Sequence, residues 1–329
     1  MKLILNQPVN YQFYADTITE FEKAIISYTK TQSVLPLNRK LSKLAFYNWR
    51  VLKRCGIPYT PLSLFNFFPM RNHDKIQHYF TILMGIDFLN CLPYFMLPVR
   101  KSIYMFDAWP VSHEIISQFV SHFGVEHIFL SSSQATDRLK NTAGRSQFHW
   151  IPEGINPEEY KHFSYQRKDI DVLAFGRQYD EYHEKIKSPL ETDGKVYIYA
   201  KTQGKIALPL FLSRETFIEG LARSKVSICV PSGITNPQRS GDIQTMTIRY
   251  LQSMVSKCLI VGHAPDEMIT LFGYNPVIEI DMENAVSQIR EILSNYSAYR
   301  PLIERNYTSV IEGHTWSHRW KMITEILNK

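Results

Sequence analysis

The stretch whose reading decides the fold is Val230-Pro-Ser-Gly-Ile-Thr-Asn-Pro-Gln-Arg-Ser-Gly-Asp-Ile-Gln-Thr-Met-Thr-Ile-Arg-Tyr-Leu-Gln-Ser-Met-Val-Ser-Lys-Cys-Leu-Ile-Val-Gly262. It begins at the end of one apolar run, Val226–Val230, and closes on another, Leu259–Val261. Between them lies a loop of Pro, Ser and Gly, then Met246, Tyr250, Leu251 and Met254 at helical spacing, which predicts a helix over Ile243–Val255. Strand, small-residue loop, helix and strand make one crossover unit, and such units pair their strands in parallel.

The same alternation extends outward. Asp171–Phe175, Lys195–Ala200 and Pro276–Ile280 read as further strands, Ser213–Arg223 as a helix behind a Ser cap, and 282–298 and 315–328 as closing helices. Toward the N-terminus, Lys2–Leu5, Ser102–Phe106 and His127–Leu130 read as strands, with a helix over Ser112–Phe123 ended by Gly124. The pattern breaks near His149–Arg167, where two prolines and a glycine precede a polar segment. Two α/β domains facing each other across a cleft are expected, and such clefts commonly take a ligand.

Composition agrees with a globular chain: 329 residues, 44% apolar, 13% aromatic and 21% charged. No run of 18 apolar residues is present, and the N-terminus turns polar too soon for a signal peptide. Cys55, Cys91, Cys229 and Cys258 are scattered without a paired spacing, so neither a zinc site nor a disulfide framework is expected. A cytoplasmic protein follows from these readings. The net charge of +6 is mild and does not point to nucleic acid. It hides a local bias, because residues 23–73 hold nine basic residues and no acid: Lys23, Lys30, Arg39, Lys40, Lys43, Arg50, Lys53, Arg54 and Arg71. Read as a helix, 39–54 gathers its cations on one side and Leu41, Leu44, Ala45, Trp49, Val51 and Leu52 on the other. The simpler reading packs the apolar side on a sheet; the alternative is peripheral contact with an anionic membrane at its inner face.

Candidate site residues collect at strand ends. A helix that opens after a loop of small residues offers unpaired N–H groups to an anion, so the start of helix 243–255 is a candidate phosphate site, with Ser232 and Gly233 in the loop. On that helix Gln244, Thr245, Arg249 and Gln252 share a polar side opposite Met246, Tyr250 and Met254. Gly176-Arg177 ends the strand Asp171–Phe175, and Arg177 suits a bidentate diphosphate contact. Lys201 follows a strand in the same way, with Lys185 and Lys205 as competitors. In the first half, Asp107 follows a strand in Phe106-Asp-Ala-Trp-Pro-Val-Ser-His-Glu114, and Asp107 or His113 could serve as a base or bind an acceptor hydroxyl. The plainer role for that segment is capping of the next helix.

Several of these segments resemble GT-B glycosyltransferases, family 4 in particular. Strand Ile128-Phe-Leu-Ser-Ser-Ser133 followed by Trp150-Ile-Pro-Glu-Gly-Ile-Asn-Pro-Glu-Glu-Tyr160 is similar to the family's interdomain segment. Leu251-Gln-Ser-Met-Val-Ser-Lys-Cys-Leu-Ile-Val261 is similar to the family's "Leu-Glu-Ala-Met-Ala-x-Gly-x-Pro-Val-Ile". The family's two glutamates, eight residues apart, fall here on Gln244 and Gln252. Thr247-Ile-Arg-Tyr-Leu-Gln252 and His314-Thr-Trp-Ser-His-Arg-Trp320 resemble the spore-maturation-type branch.

The resemblance implies two Rossmann-like domains: an acceptor domain over 1–155, a nucleotide-sugar donor domain over 156–314, and a helix over 315–329 that crosses back. It implies a glycosyltransferase that moves a sugar from a nucleotide-sugar to a glycan, lipid-linked or other acceptor in cell-surface polysaccharide biosynthesis. Asp107, His113 and Arg177 would be catalytic. Gly176, Arg177, Lys201, Ser232, Gly233, Gln244, Thr245, Arg249 and Gln252 would bind the donor, with no metal and no other cofactor. Loss of both glutamates leaves an alternative, a GT-B protein that binds nucleotide-sugar or glycan without transfer.

Overall fold

The computed structural model describes residues 1–5, 16–29, 33–34, 39–56, 78–92, 94–97, 99–200, 202–203, 206–207 and 210–328. It divides into two compact units, one formed by Met1–Pro152 with Arg319–Lys329, the other by Glu153–His318. Each is built on its own parallel sheet.

In the first unit the strands are β1 (Lys2–Ile4), β2 (Ser33–Val34), β3 (His78–Met84), β4 (Arg100–Phe106), β5 (His127–Leu130) and β6 (Gln147–Trp150). They lie in the order β2-β1-β3-β4-β5-β6, every neighbouring pair parallel. Register runs from His78 opposite Arg100 to Met84 opposite Phe106. Helices α1 (Asp16–Thr29), α2 (Arg39–Arg54), α3 (His113–Phe123) and α4 (Ser133–Leu139) belong to this unit. Strands β3 and β4 are buried almost throughout, as expected of parallel strands covered on both faces. Phe80 of β3 meets the Trp320 ring edge-on at 5.2 Å, and Phe21 of α1 meets it at 6.3 Å.

Helix α2 covers the expected residues but presents a different face. Its buried side is Ser42, Ala45 and Trp49. The Ser42 hydroxyl donates to the Leu92 carbonyl at 2.9 Å, and Trp49 stands edge-on to Phe88 and Phe119, which stack at 3.7 Å. Leu44 and Val51, expected to pack, are 66% and 58% exposed, and Tyr47 beside them is 62% exposed. One large indole fills the contact with α3 and sets the rotation of the helix. Lys30 and Arg71 of the basic stretch, and the side chain of Arg39, lie outside the described residues.

The second unit carries β7 (Ile170–Ala174), β8 (Tyr197–Tyr199), β11 (Ser224–Cys229), β12 (Leu259–Gly262) and β13 (Ile278–Glu279) in the order β13-β12-β11-β7-β8, again all parallel. A separate antiparallel pair joins β9 (Thr202–Gln203) to β10 (Ile206–Ala207). Its helices are α5 (Asp180–Thr192), α6 (Arg214–Arg223), α7 (Ser232–Thr235), α8 (Pro237–Ser240), α9 (Ile248–Val255), α10 (Asp266–Phe272), α11 (Ala285–Ser294) and α12 (Arg300–Gly313). Helix α13 (Trp316–Leu327) starts in this unit and clusters with the first from Arg319 onward. Period-two alternation sends Leu173, Phe175 and Cys229 to one core and Val172, Ala174, Val226 and Ile228 to the other. Helix α6 opens at Ser213 with a reciprocal cap: the Ser213 hydroxyl accepts from Thr216 N, and Thr216 Oγ1 from Ser213 N.

One boundary is corrected. The helix expected from Ile243 starts only at Ile248, and 243–247 is an irregular loop. Side chains take the backbone donors that a longer helix would use. Glu267 Oε1 accepts from Met246 N at 2.8 Å and from Thr245 Oγ1 at 2.6 Å. Glu153 Oε2 accepts from Ile248 N at 2.7 Å.

Candidate functional site

At the carboxyl edge of the second sheet, β7 runs into Phe175-Gly176-Arg177 and β11 into Val230-Pro231-Ser232. Both turns converge on Arg249 of α9. Its Nη2 donates to the Val230 carbonyl at 2.8 Å, and its Nη1 donates to the carbonyls of Phe175 and Arg177 at 3.3 Å each. Arg249 is only 8% exposed, and these carbonyls are its bonding partners; no carboxylate is among them. A buried guanidinium held by carbonyls alone therefore lies directly behind this edge.

Gly176 lies in front of that charge. It is exposed, with φ of +76°, a left-handed conformation that glycine adopts without strain. A Cβ on it would stand 2.8 Å from Arg249 Cδ and 3.3 Å from Nη1. Without a side chain, the surface over the guanidinium is bare, so an anion can approach it closely. Arg177, half-buried, adjoins the same turn.

The other donor-site candidates are arranged differently from the helical polar face expected. Gln244 is exposed in the loop before α9, and Thr245 is buried against Glu267. Arg249 and Gln252 are both buried, and Gln252 Nε2 donates to Tyr160 Oη at 3.0 Å. The start of α9 does not offer a vacant anion site, since the Glu153 carboxylate already occupies its first N–H. Gly233 is explained by packing, because a Cβ there would lie 2.7 Å from the Ile243 carbonyl oxygen. Ser232 is fully enclosed, and its hydroxyl and that of Thr247 find no partner among the described residues. Lys201 and Lys205 lie outside the described residues, and Lys185 donates to the Met282 carbonyl at 2.7 Å.

Sequence reasoning missed Glu153, Glu267 and Tyr160. Glu153 and Tyr160 stand inside the quoted segment Trp150–Tyr160, and Glu267 sits in the first turn of α10, yet periodicity marks none of them. It also missed the end of β12, where His263 Nδ1 lies 2.9 Å from Glu279 Oε2.

In the first unit, Asp107 follows β4 with φ of 51°, one of two non-glycine residues with positive φ among the described residues. A left-handed aspartate is uncommon and marks a constrained turn. Opposite it, Gly85 at the end of β3 has φ of +57° and donates its N–H to the Phe106 carbonyl at 2.9 Å. His113 opens α3, and its Nε2 donates to the Ala108 carbonyl at 3.0 Å. Burial pushes its pKa below the usual imidazole value. With Nε2 donating to that carbonyl, the nitrogen left for another partner is Nδ1. Ser112 makes no side-chain cap to α3, so the plainer capping role is absent for that residue. Trp109 beside this turn is buried, and its indole N–H finds no acceptor among the described residues.

Among the described residues, no three His, Cys, Asp or Glu side chains come together as a metal site, and no helix is long and apolar enough to cross a membrane. No family model matches the chain, and no curated protein matches it. Solved structures do. Sucrose-phosphate synthase from Thermosynechococcus elongatus matches at 9% identity, with a TM-score of 0.61, over 99% of this chain and 98% of that one. HepE of Anabaena, solved in complex with UDP and glucose, matches at 9% identity and a TM-score of 0.63 over 99% of both chains. The N-terminal domain of Candida albicans trehalose-6-phosphate phosphatase matches at 11% identity and 0.53, over 94% and 86%. With two parallel-sheet units and this coverage, the chain has the fold of the GT-B glycosyltransferases.

Proposed function

We propose that this protein is a glycosyltransferase that transfers a sugar from a nucleotide-sugar to an acceptor hydroxyl, with the second unit holding the donor and the first the acceptor. The observation that carries the reading is the Arg249 guanidinium, buried without a carboxylate partner beneath the bare, left-handed Gly176. A diphosphate seated on Gly176 would be stabilised by that charge, with Arg177 beside it. When the glycosidic bond to the leaving diphosphate breaks, negative charge grows on the bridging oxygen, and fixed cations stabilise it in place of a metal. Solved structures of the same fold hold UDP and UDP-glucose, which favours a uridine nucleotide as the first to test. Asp107 and His113 are the proposed acceptor-side groups. Either could take the proton of the attacking hydroxyl.

Calorimetry with UDP-, GDP- and CMP-sugars, with and without EDTA, tests this. Binding of one of them, unaffected by EDTA, and nucleotide release in the presence of a glycan or lipid-linked acceptor are expected. Failure of every nucleotide to bind refutes the reading. Binding without release favours a non-catalytic protein, a reading supported by Gln244 and Gln252 at the positions of the family's glutamates.

The acceptor side extends to α2. Leu44, Tyr47 and Val51 form an exposed apolar row at helical spacing, flanked by exposed Lys40, Lys43, Arg50, Lys53 and Arg54. Apolar residues rimmed by cations suit an anionic lipid surface, where each basic residue contributes about 1 kcal/mol. We propose that this helix docks the protein peripherally on such a membrane, which favours a lipid-linked acceptor in cell-surface glycan synthesis. Flotation with phosphatidylglycerol-containing vesicles should succeed and weaken with salt. Equal flotation with purely zwitterionic vesicles, or none at all, overturns it.

A further inference from the structure

His127 and His149 form a pair that the candidate site leaves unused. His127 opens β5, and His149 lies in β6, the edge strand of the first sheet. Register places Phe129 opposite His149, so side-chain alternation sends His127, Phe129 and His149 to the same face. There His127 Nδ1 stands 3.1 Å from His149 Nε2. Phe129 stacks on the His149 ring at 5.3 Å, and both imidazoles are half-buried. Two parallel strands thus hold two ring nitrogens face to face.

Without a ligand, one proton lies between these nitrogens, and either ring can be its donor. When that proton moves to the other nitrogen of its own ring, two lone pairs face the same point. The ring changes tautomer, and no proton leaves the pair. Two nitrogens that share one ion, each about 2.0–2.1 Å from it, are about 2.9 Å apart at a right angle and about 3.3 Å apart at the tetrahedral angle. The observed 3.1 Å falls between these values, so an ion can enter with little movement of either strand.

Imidazole suits zinc, nickel and copper, whereas magnesium and calcium prefer oxygen. No third His, Cys, Asp or Glu joins the pair among the described residues, and His78 is engaged with Ser102 Oγ at 2.9 Å. Water would fill the remaining positions. We propose that His127 and His149 bind a late first-row divalent cation such as Zn2+ or Ni2+, which staples the edge strand β6 to β5. The pair is set apart from the candidate acceptor groups. Ser102 lies opposite His127, and Asp107 follows Ser102 by five residues, about 16 Å along the strand. The ion is therefore structural, and the inference stands whether or not a nucleotide binds.

The experiment titrates Zn2+ and Ni2+ into the metal-stripped full chain by calorimetry, beside His149→Gln, His127→Gln and a control, His162→Gln, whose ring is exposed in the second unit. Wild type and control should bind a single ion and melt at a higher temperature with it, since a ligand of the folded state stabilises that state. Mg2+ should do neither. Loss of either ligand should weaken binding at least tenfold, because the second nitrogen no longer acts at high effective concentration. His149→Cys keeps a ligand of a different kind. It should bind Ni2+ with a thiolate-to-nickel absorption band that the wild type lacks, which places the ion at position 149. No binding by the wild type overturns the proposal, as does equal binding by folded His149→Gln and His127→Gln. Should neither Gln variant fold, the His149→Cys spectrum decides alone, and absence of the band overturns the proposal.

Discussion

Replacing Arg249 by Met tests the centre of the candidate site, because it removes the charge and the fork while keeping a long apolar stem. Two effects are expected. The first is on stability. Three carbonyls, of Phe175, Arg177 and Val230, lose a donor, the first and last of them at buried positions. Each stranded acceptor costs about 1–3 kcal/mol, offset partly because a desolvated cation is removed as well. A net loss of about 2–4 kcal/mol is expected, read as a lower urea midpoint for the second unit. The second effect is on binding. Nη1 is 3.3 Å from where a Gly176 Cβ would stand, so an anion resting on Gly176 lies roughly 6 Å from the guanidinium. At an effective dielectric constant of about 20, one unit charge at that distance contributes about 3 kcal/mol, on the order of a hundredfold in affinity. Arg249→Lys separates the two effects. It keeps the charge and most of the affinity, but a single ammonium on a shorter reach does not bridge two strand ends, so stability falls. The assays are urea unfolding followed by calorimetry with UDP under conditions where each variant is folded. If Arg249→Met binds UDP within about threefold of wild type, the buried cation is not what holds the diphosphate. If neither substitution moves the urea midpoint, the carbonyls are not braced by this side chain.

Further substitutions probe the scaffold. Trp320→Ala should destabilise the first unit by about 3–5 kcal/mol, because a ring packed edge-on to Phe80 and Phe21 leaves a large cavity; an unchanged melting midpoint refutes this. Glu267→Ala removes the acceptor of Thr245 Oγ1 and Met246 N and should cost about 2–3 kcal/mol, whereas Glu267→Gln keeps an acceptor oxygen and should cost less; equal losses contradict the hydrogen-bonding role. Burial, with Arg100 nearby, lowers the His78 pKa to about 4. The unfolded chain therefore binds the proton first, and stability present above about pH 6.5 is lost as the pH falls toward 4, by up to about 3 kcal/mol. Unfolding midpoints at pH 7 and 5 measure the slope, and His78→Gln should flatten it.

The sheet strands were legible where apolar runs are short and bounded. His127–Leu130 matches residue for residue, and Leu259–Val261 misses only Gly262 of β12. Gly124 ends α3 in a left-handed conformation, and Ser213 caps α6, as their residue types imply. Strand β3 was hidden because His78–Met84 opens a longer apolar stretch that continues beyond it. Helix α5 was hidden by a polar composition and by Pro189 within it. For the site, residue type at a strand end pointed to Gly176 and Arg177, and the polar side of the expected helix to Arg249. The start of α9 was misplaced because the five residues before Ile248 carry a helical pattern, and tertiary hydrogen bonds override it. The acceptors, Glu153 and Glu267, are 95 and 21 residues away from their partners, and no local pattern reports such a contact.

That override changes what attracts an anion to this edge. A helix N-terminus contributes about half a positive charge through its unpaired N–H groups. Here the Glu153 carboxyl oxygen already accepts from the first of them, so that donor is not open to a ligand. Glu267 adds a second carboxylate beneath the same loop. With that donor taken and both acids accepting from the loop and the helix start, side-chain cations are the stronger source of positive potential, and Arg249 is the one that fixed carbonyls hold in place. A nucleotide site at this edge should therefore respond to charge at position 249 far more than to residues of the Ser232-Gly233 loop. Ser232→Ala removes an enclosed hydroxyl that has no partner among the described residues, and it should leave UDP affinity within about twofold of wild type. A tenfold loss in Ser232→Ala alongside an unaffected Arg249→Met would return the phosphate to the loop and the helix end, and refute the cation as the anchor.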